Sequence, residues 1–136
     1  MQTFSALAVG TLLGFGFVHL VRRNEGNRQR YWFAAGLLIA AAIYAAFSMN
    51  AGPGMWVIVE LAGVGLFGGL AVAGYRKSAL ILAAGWILHV GWDVMHEVSE
   101  QIRFVPEWYP ALCVSFDVVV GVYLVFAWRR QAASET

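Results

Sequence analysis

Five nearly unbroken apolar stretches, at about residues 4–21, 31–49, 54–74, 78–98 and 108–128, leave this chain few ways to fold. Each approaches the ~20 residues that a helix needs to cross about 30 Å of hydrocarbon. Within a bilayer no water satisfies the backbone, so a spanning segment must close its hydrogen bonds internally as a helix. The expectation is an all-α, polytopic integral membrane protein, a five-transmembrane-helix bundle forming a single domain over residues 1–136. Composition agrees, with 60% hydrophobic residues and 12% charged, against roughly 45–50% and 25% in soluble domains.

The connectors are short and polar: RRNEGNRQR, NAGPG, YRKS and SEQIRFVPE, with RRQAASET after the last segment. Pro53 between Gly52 and Gly54 reads as a tight turn, and Pro106 and Pro110 bracket the entry to the last helix. Of the nine Lys and Arg residues, Arg22, Arg23, Arg28, Arg30, Arg76, Lys77, Arg129 and Arg130 fall on one side of a five-span bundle, leaving Arg103 on the other. The positive-inside rule then puts the N-terminus outside and the C-terminus in the cytoplasm. Arg22 and Arg23 follow the first apolar run, the reverse of a signal peptide, so that run is expected to be a retained helix.

Trp32, Trp56, Trp108 and Trp128 lie near helix ends, as interfacial aromatics do. Gly63, Gly65, Gly68 and Gly69 would let the third helix approach a neighbour closely. A net charge of +1 without a basic run speaks against nucleic acid as a partner. One cysteine excludes an internal disulfide or a paired-cysteine zinc motif.

Against this apolar background the fourth segment contains WILHVGWDVMHE, residues 86–97. Ionisable residues within a span cost roughly 2.5–3.5 kcal/mol each on insertion scales and are by default functional. At about 100° per residue, His89, Asp93 and His96 fall within about 60° of one another, with Glu97 beside them. The Asp93-x-x-His96 spacing is one by which helical bundles offer a carboxylate and an imidazole to a metal. At ~1.5 Å per residue, Glu60 and Asp93 lie about 9 and 8 Å below the outer edge and Asp117 about 12 to 14 Å, with His89 and His96 bracketing that layer. Three helices thus bring acids to a common depth in the outer half of the bilayer.

Imidazoles and carboxylates without thiolate suit a divalent zinc, iron or manganese ion. His89, Asp93 and His96 are the core candidate ligands, and Glu60 and Asp117 complete the shell or act as catalytic acid and base. Glu97 serves as an outer ligand or proton carrier. One acid-x-x-His motif favours a mononuclear site, whereas a dinuclear one would need Glu60, Glu97 and Asp117 to bridge or a second subunit. The bland alternative is that these groups pair by hydrogen bonds and fix helix register. Cys113 reads as packing, His19 as interfacial, Trp86 and Trp92 as packing, and Tyr44 as a residue able to reach the site's depth from the second helix.

The run GWILHVGWDVMHE, a proline-containing loop and then CVSFD resemble an uncharacterised family of small bacterial integral membrane proteins. The family pattern W-L-L-H-x-x-W-D-x-x-H-H and G-C-x-x-F-D is matched at Trp86, His89, Trp92, Asp93, His96, Cys113, Phe116 and Asp117. Trp56 with Glu60 resembles the family's third helix, and the match is strong over about residues 56–125. Glu97 stands where the pattern has a second histidine, and Leu112 where it has glycine. The resemblance implies a multi-pass protein of a bacterial inner membrane and supports the site residues, without naming an activity.

Together these readings point to a metal-dependent enzyme, a hydrolase or oxidoreductase, acting on a membrane-proximal or lipid-soluble small molecule. A proton or metal-cation transporter and a structural subunit of a membrane complex are the competing readings. Membrane lipids are expected neighbours, and the glycine-rich faces leave room for a homo-oligomer.

Overall fold

The computed structural model describes residues 2–52, 54–99 and 102–134. Five helices follow in order: α1 (Gln2–Val21), α2 (Gly26–Asn50), α3 (Met55–Arg76), α4 (Ala79–Val98) and α5 (Tyr109–Ser134). All five are long and apolar enough to cross a membrane, and among the described residues there is no strand. Two helices outrun their apolar stretches: α2 starts at Gly26 and α5 runs to Ser134. Hydropathy marks the edge of the hydrocarbon, whereas a helix continues into the interface wherever its backbone bonds still close.

Local chemistry sets the ends. Gly26 adopts φ +54°, a left-handed value that glycine takes without penalty, so the chain reverses within a few residues after α1. Ser78 caps α4, its hydroxyl accepting from the Leu80 amide at 3.1 Å. Pro110 occupies the first turn of α5, where its missing N–H removes no helical bond. The turn expected at Pro53 and the connector residues Glu100 and Gln101 lie outside the described residues.

In the bundle α4 is central, packed against α5, α3 and α2, while α5 also carries α1 on its far side. The α1–α5 contact is tight because α1 presents glycine. A Cβ at Gly10 would collide with the Leu112 carbonyl and the Ser115 hydroxyl, and one at Gly14 would lie 3.0 Å from Val119 Cβ. These are the close approaches that small residues permit between membrane helices. Of the glycines singled out on α3, Gly63 lies under the Trp92 ring and Gly68 faces Leu38, whereas Gly65 and Gly69 have nothing near them. Register follows from such contacts: Leu37 meets Gly85 and Gly121 meets Ile87, so α2 runs with α4 and α5 runs against it.

Two faces of the molecule differ as lipid contact requires. Leu12, Ile58, Leu20, Phe15 and Leu88 are each more than half exposed, a display of apolar surface that water would not tolerate. Inside, Phe33, Leu37, Leu82, Trp86, Val120 and Leu124 form a close-packed apolar layer. That layer fills the half of the bundle containing the α1–α2 and α3–α4 connectors. Trp86 reaches across it, donating its Nε1–H to the Phe33 carbonyl at 3.2 Å. Trp32 and Trp108 stand exposed at helix ends, in the positions of an aromatic belt.

Candidate metal centre

The other half of the bundle is polar inside. Glu60, His89, Asp93, His96 and Asp117 are all buried, none more than 4% exposed. They divide into two units.

The deeper unit joins His89 and Asp93 of α4 to Asp117 of α5. His89 Nδ1 lies 2.7 Å from Asp117 Oδ2 and 3.5 Å from Asp93 Oδ1. Tyr44 of α2 donates its hydroxyl to Asp93 Oδ1 at 2.8 Å, and the edge of Phe67 on α3 abuts the imidazole, with ring centroids 4.6 Å apart. One ligand atom from each of His89, Asp93 and Asp117 lies within 4.8 Å of the others. Nitrogen and oxygen ligands bind an ion such as zinc at roughly 2.0–2.2 Å, so small side-chain movements let all three share one cation.

Two further observations mark this unit. Among the described residues, His89 Nε2 and Asp93 Oδ2 have no hydrogen-bond partner, although both are fully buried. Buried polar atoms left unpaired are rare and costly. Two carboxylates share one imidazole, so the group is negative whenever both carboxyls are ionised. All nine Lys and Arg residues stand at or near helix ends or in connectors, away from Asp93 and Asp117. Uncompensated charge at this depth draws in either protons or a cation. The short His89–Asp117 contact occupies Nδ1 and leaves Nε2 free.

The second unit lies closer to the α4–α5 connector. His96 Nε2 is 2.8 Å from Glu60 Oε1, and Trp92 donates its indole N–H to Glu60 Oε2 at 3.2 Å. His96 Nδ1 lies 2.9 Å from the Trp92 carbonyl, which can only accept, so Nδ1 carries a proton. The Nε2–Oε1 contact then needs one more proton, on either partner. The pair is therefore neutral as a whole and satisfied at every polar atom.

Of the sequence-derived residues, the fold brings His89, Asp93 and Asp117 into one group. It sets His96 and Glu60 beside that group as a pair. Glu97 is exposed and lines a cleft of about 790 Å³, together with His96, Arg103 and Glu107. Cys113 is buried beside Tyr44 and Tyr109, outside the three-residue group. His19 is exposed and bonded to Arg22 and Arg23 at the opposite end of the bundle. Trp92, expected to be packing, is also a hydrogen-bond donor to the site. Nothing in the sequence pairs it with Glu60, because the pairing depends on Gly63, where a Cβ would lie 2.8 Å from the indole.

Fold and site thus define a multi-pass helical membrane protein with a buried His/Asp group able to hold a metal ion. The chain belongs to DUF6010, a family of unknown function, whose pattern it matches over residues 4–130. No curated protein and no solved structure matches it.

Proposed function

We propose that His89, Asp93 and Asp117 hold a divalent metal ion and that the protein is a membrane-embedded metalloenzyme. The observation that carries this reading is the pair of unpartnered buried atoms, His89 Nε2 and Asp93 Oδ2, in a group of two carboxylates and one imidazole. One imidazole and two carboxylates are the donors of a zinc, iron or manganese site. Three protein ligands leave room in the shell for water or substrate, and a bound ion of this kind supplies Lewis acidity and a water made acidic near neutral pH. Tyr44 holds Asp93 in place, and the neutral Glu60–His96 pair keeps a transferable proton beside the centre. Glu97, exposed in the cleft, exchanges protons with water.

The apolar layer of Phe33, Leu37, Leu82, Trp86 and Leu124 favours this reading over transport. A path through the protein would have to cross that layer, which is built of apolar side chains. With the basic residues inside, the centre lies in the outer half of a bacterial inner membrane, the N-terminus faces outward, and the five helices act as one domain. Its substrate is then a lipid-soluble or membrane-proximal small molecule.

The test is elemental analysis of detergent-purified protein in chelator-free buffer. Wild type and His96→Gln are expected to retain near-stoichiometric zinc, iron or manganese, and His89→Ala and Asp117→Asn to lose it. Folded wild type without metal, or metal retained in His89→Ala, refutes the proposal.

A further inference from the structure

The buried centre needs an entrance, and the cleft at the α4–α5 end has the right chemistry for one. It opens to the surface between Thr3 of α1, the end of α4 and the residues leading into α5. Glu97 and Glu107 give it exposed carboxylates, and its floor is reached by His96, itself only 4% exposed. His96 faces the cleft on one side and the Tyr44 ring on the other, with centroids 4.2 Å apart. The hydroxyl of Tyr44 is bonded to Asp93. From His96 to Asp93 is three residues along α4, about 4.5 Å of rise. The cleft thus leads to the His96–Glu60 pair, and the ring of Tyr44, whose hydroxyl holds Asp93, lies between that pair and the His89–Asp93–Asp117 group.

Resting on the metal-centre reading, we infer that divalent cations reach that centre through this cleft and pause at the His96–Glu60 pair, a transit site. The proton shared by His96 Nε2 and Glu60 Oε1 occupies the place that an arriving cation takes. As the ion binds there, that proton leaves through the cleft to Glu97 or water, and it returns when the ion moves on to Asp93. One imidazole and one carboxylate bind a divalent ion more weakly than the three-residue centre beyond them, so the ion is passed inward. Trp92 holds Glu60 through its second oxygen and keeps the carboxylate facing His96.

The experiment is stopped-flow uptake of Zn²⁺ by protein stripped with chelator in detergent, followed with a chromophoric zinc indicator. Wild type, Glu60→Gln, His96→Gln and Glu97→Cys are compared, the last before and after reaction with a bulky cationic methanethiosulfonate. Glu60→Gln and His96→Gln are expected to fill to the wild-type stoichiometry but about tenfold more slowly, the factor for losing one charge-assisted contact. Modified Glu97→Cys is expected to slow likewise, while wild type treated with the reagent, its Cys113 buried, does not. Variants that fill at the wild-type rate overturn the route and leave the centre standing. Variants that lose stoichiometry overturn it too, because they make His96 and Glu60 permanent ligands. A wild type that takes up no zinc overturns the centre itself, and the route with it.

Discussion

Tyr44→Phe tests the centre by removing one oxygen and little else. Tyr44 is fully buried, and its hydroxyl is the donor to Asp93 Oδ1 at 2.8 Å. The ring is retained, so its stacking on His96 persists. A hydrogen bond to a charged group contributes about 1.5–3 kcal/mol in soluble proteins. Between membrane helices measured values are smaller, averaging about 0.6 and reaching about 1.7 kcal/mol. Two features put this bond near the upper membrane value: its acceptor is a carboxylate, and the acceptor's other oxygen has no partner among the described residues. A loss of about 1.5 kcal/mol is therefore expected, equivalent to about tenfold in an equilibrium constant. If Asp93 is a ligand, that factor falls on metal affinity, as is usual when the group orienting a ligand is removed. The assay is competition for Zn²⁺ between stripped protein and a chelator of known affinity, with thermal unfolding measured alongside. Affinity should fall about tenfold and the midpoint of unfolding by about 4–8 °C. An unchanged affinity in a folded variant would show that Tyr44 does not position a ligand and that Asp93 lies outside the centre.

Two further outcomes follow from packing and topology. Gly10→Ala forces a methyl group into the Leu112 carbonyl and is expected to cost about 1–3 kcal/mol. Gly16→Ala, with nothing within 4 Å, should leave thermal unfolding in detergent unchanged, and equal midpoints for the two would refute the α1–α5 packing. A fluorescent-protein fusion after residue 134 should fluoresce and an alkaline-phosphatase fusion there should be inactive, as the excess of basic residues at that end requires. The reverse result would invert the protein in its membrane.

How much of this the chain discloses depends on which physics is local. Span number and helix type were legible because an apolar run of ~20 residues has one solution in lipid. The polar face of α4 was legible because 3.6-residue periodicity places His89, Asp93 and His96 together. The partition of that face into two units was not, since it depends on which neighbour supplies which acid. Asp117 reaches His89 because α5 runs against α4, and Glu60 reaches His96 because Gly63 lets Trp92 lie against α3. Glycine counts alone pointed to α3 as the closely packed helix, whereas the tightest approach is made by Gly10 of α1. Small residues announce that a close approach is allowed, and only the tertiary arrangement decides which of them is used.

The partition also decides where a cation can rest. His89 and His96 are seven residues apart, about 10 Å along the helix axis, too far for one ion with ligand bonds of roughly 2 Å. Within the His96–Glu60 pair both imidazole nitrogens and both carboxylate oxygens are bonded, and one shared proton makes the pair neutral. Beside it, His89, Asp93 and Asp117 set two carboxylates against one imidazole and keep two atoms unbonded among the described residues. The demand for a cation is therefore concentrated in the deeper unit. Beyond that unit the apolar layer of Phe33, Leu37, Leu82 and Trp86 closes the bundle. An ion that enters from the α4–α5 end would meet the three-residue group just before this apolar layer. That geometry suits an ion that is held at the group and not one that is passed on.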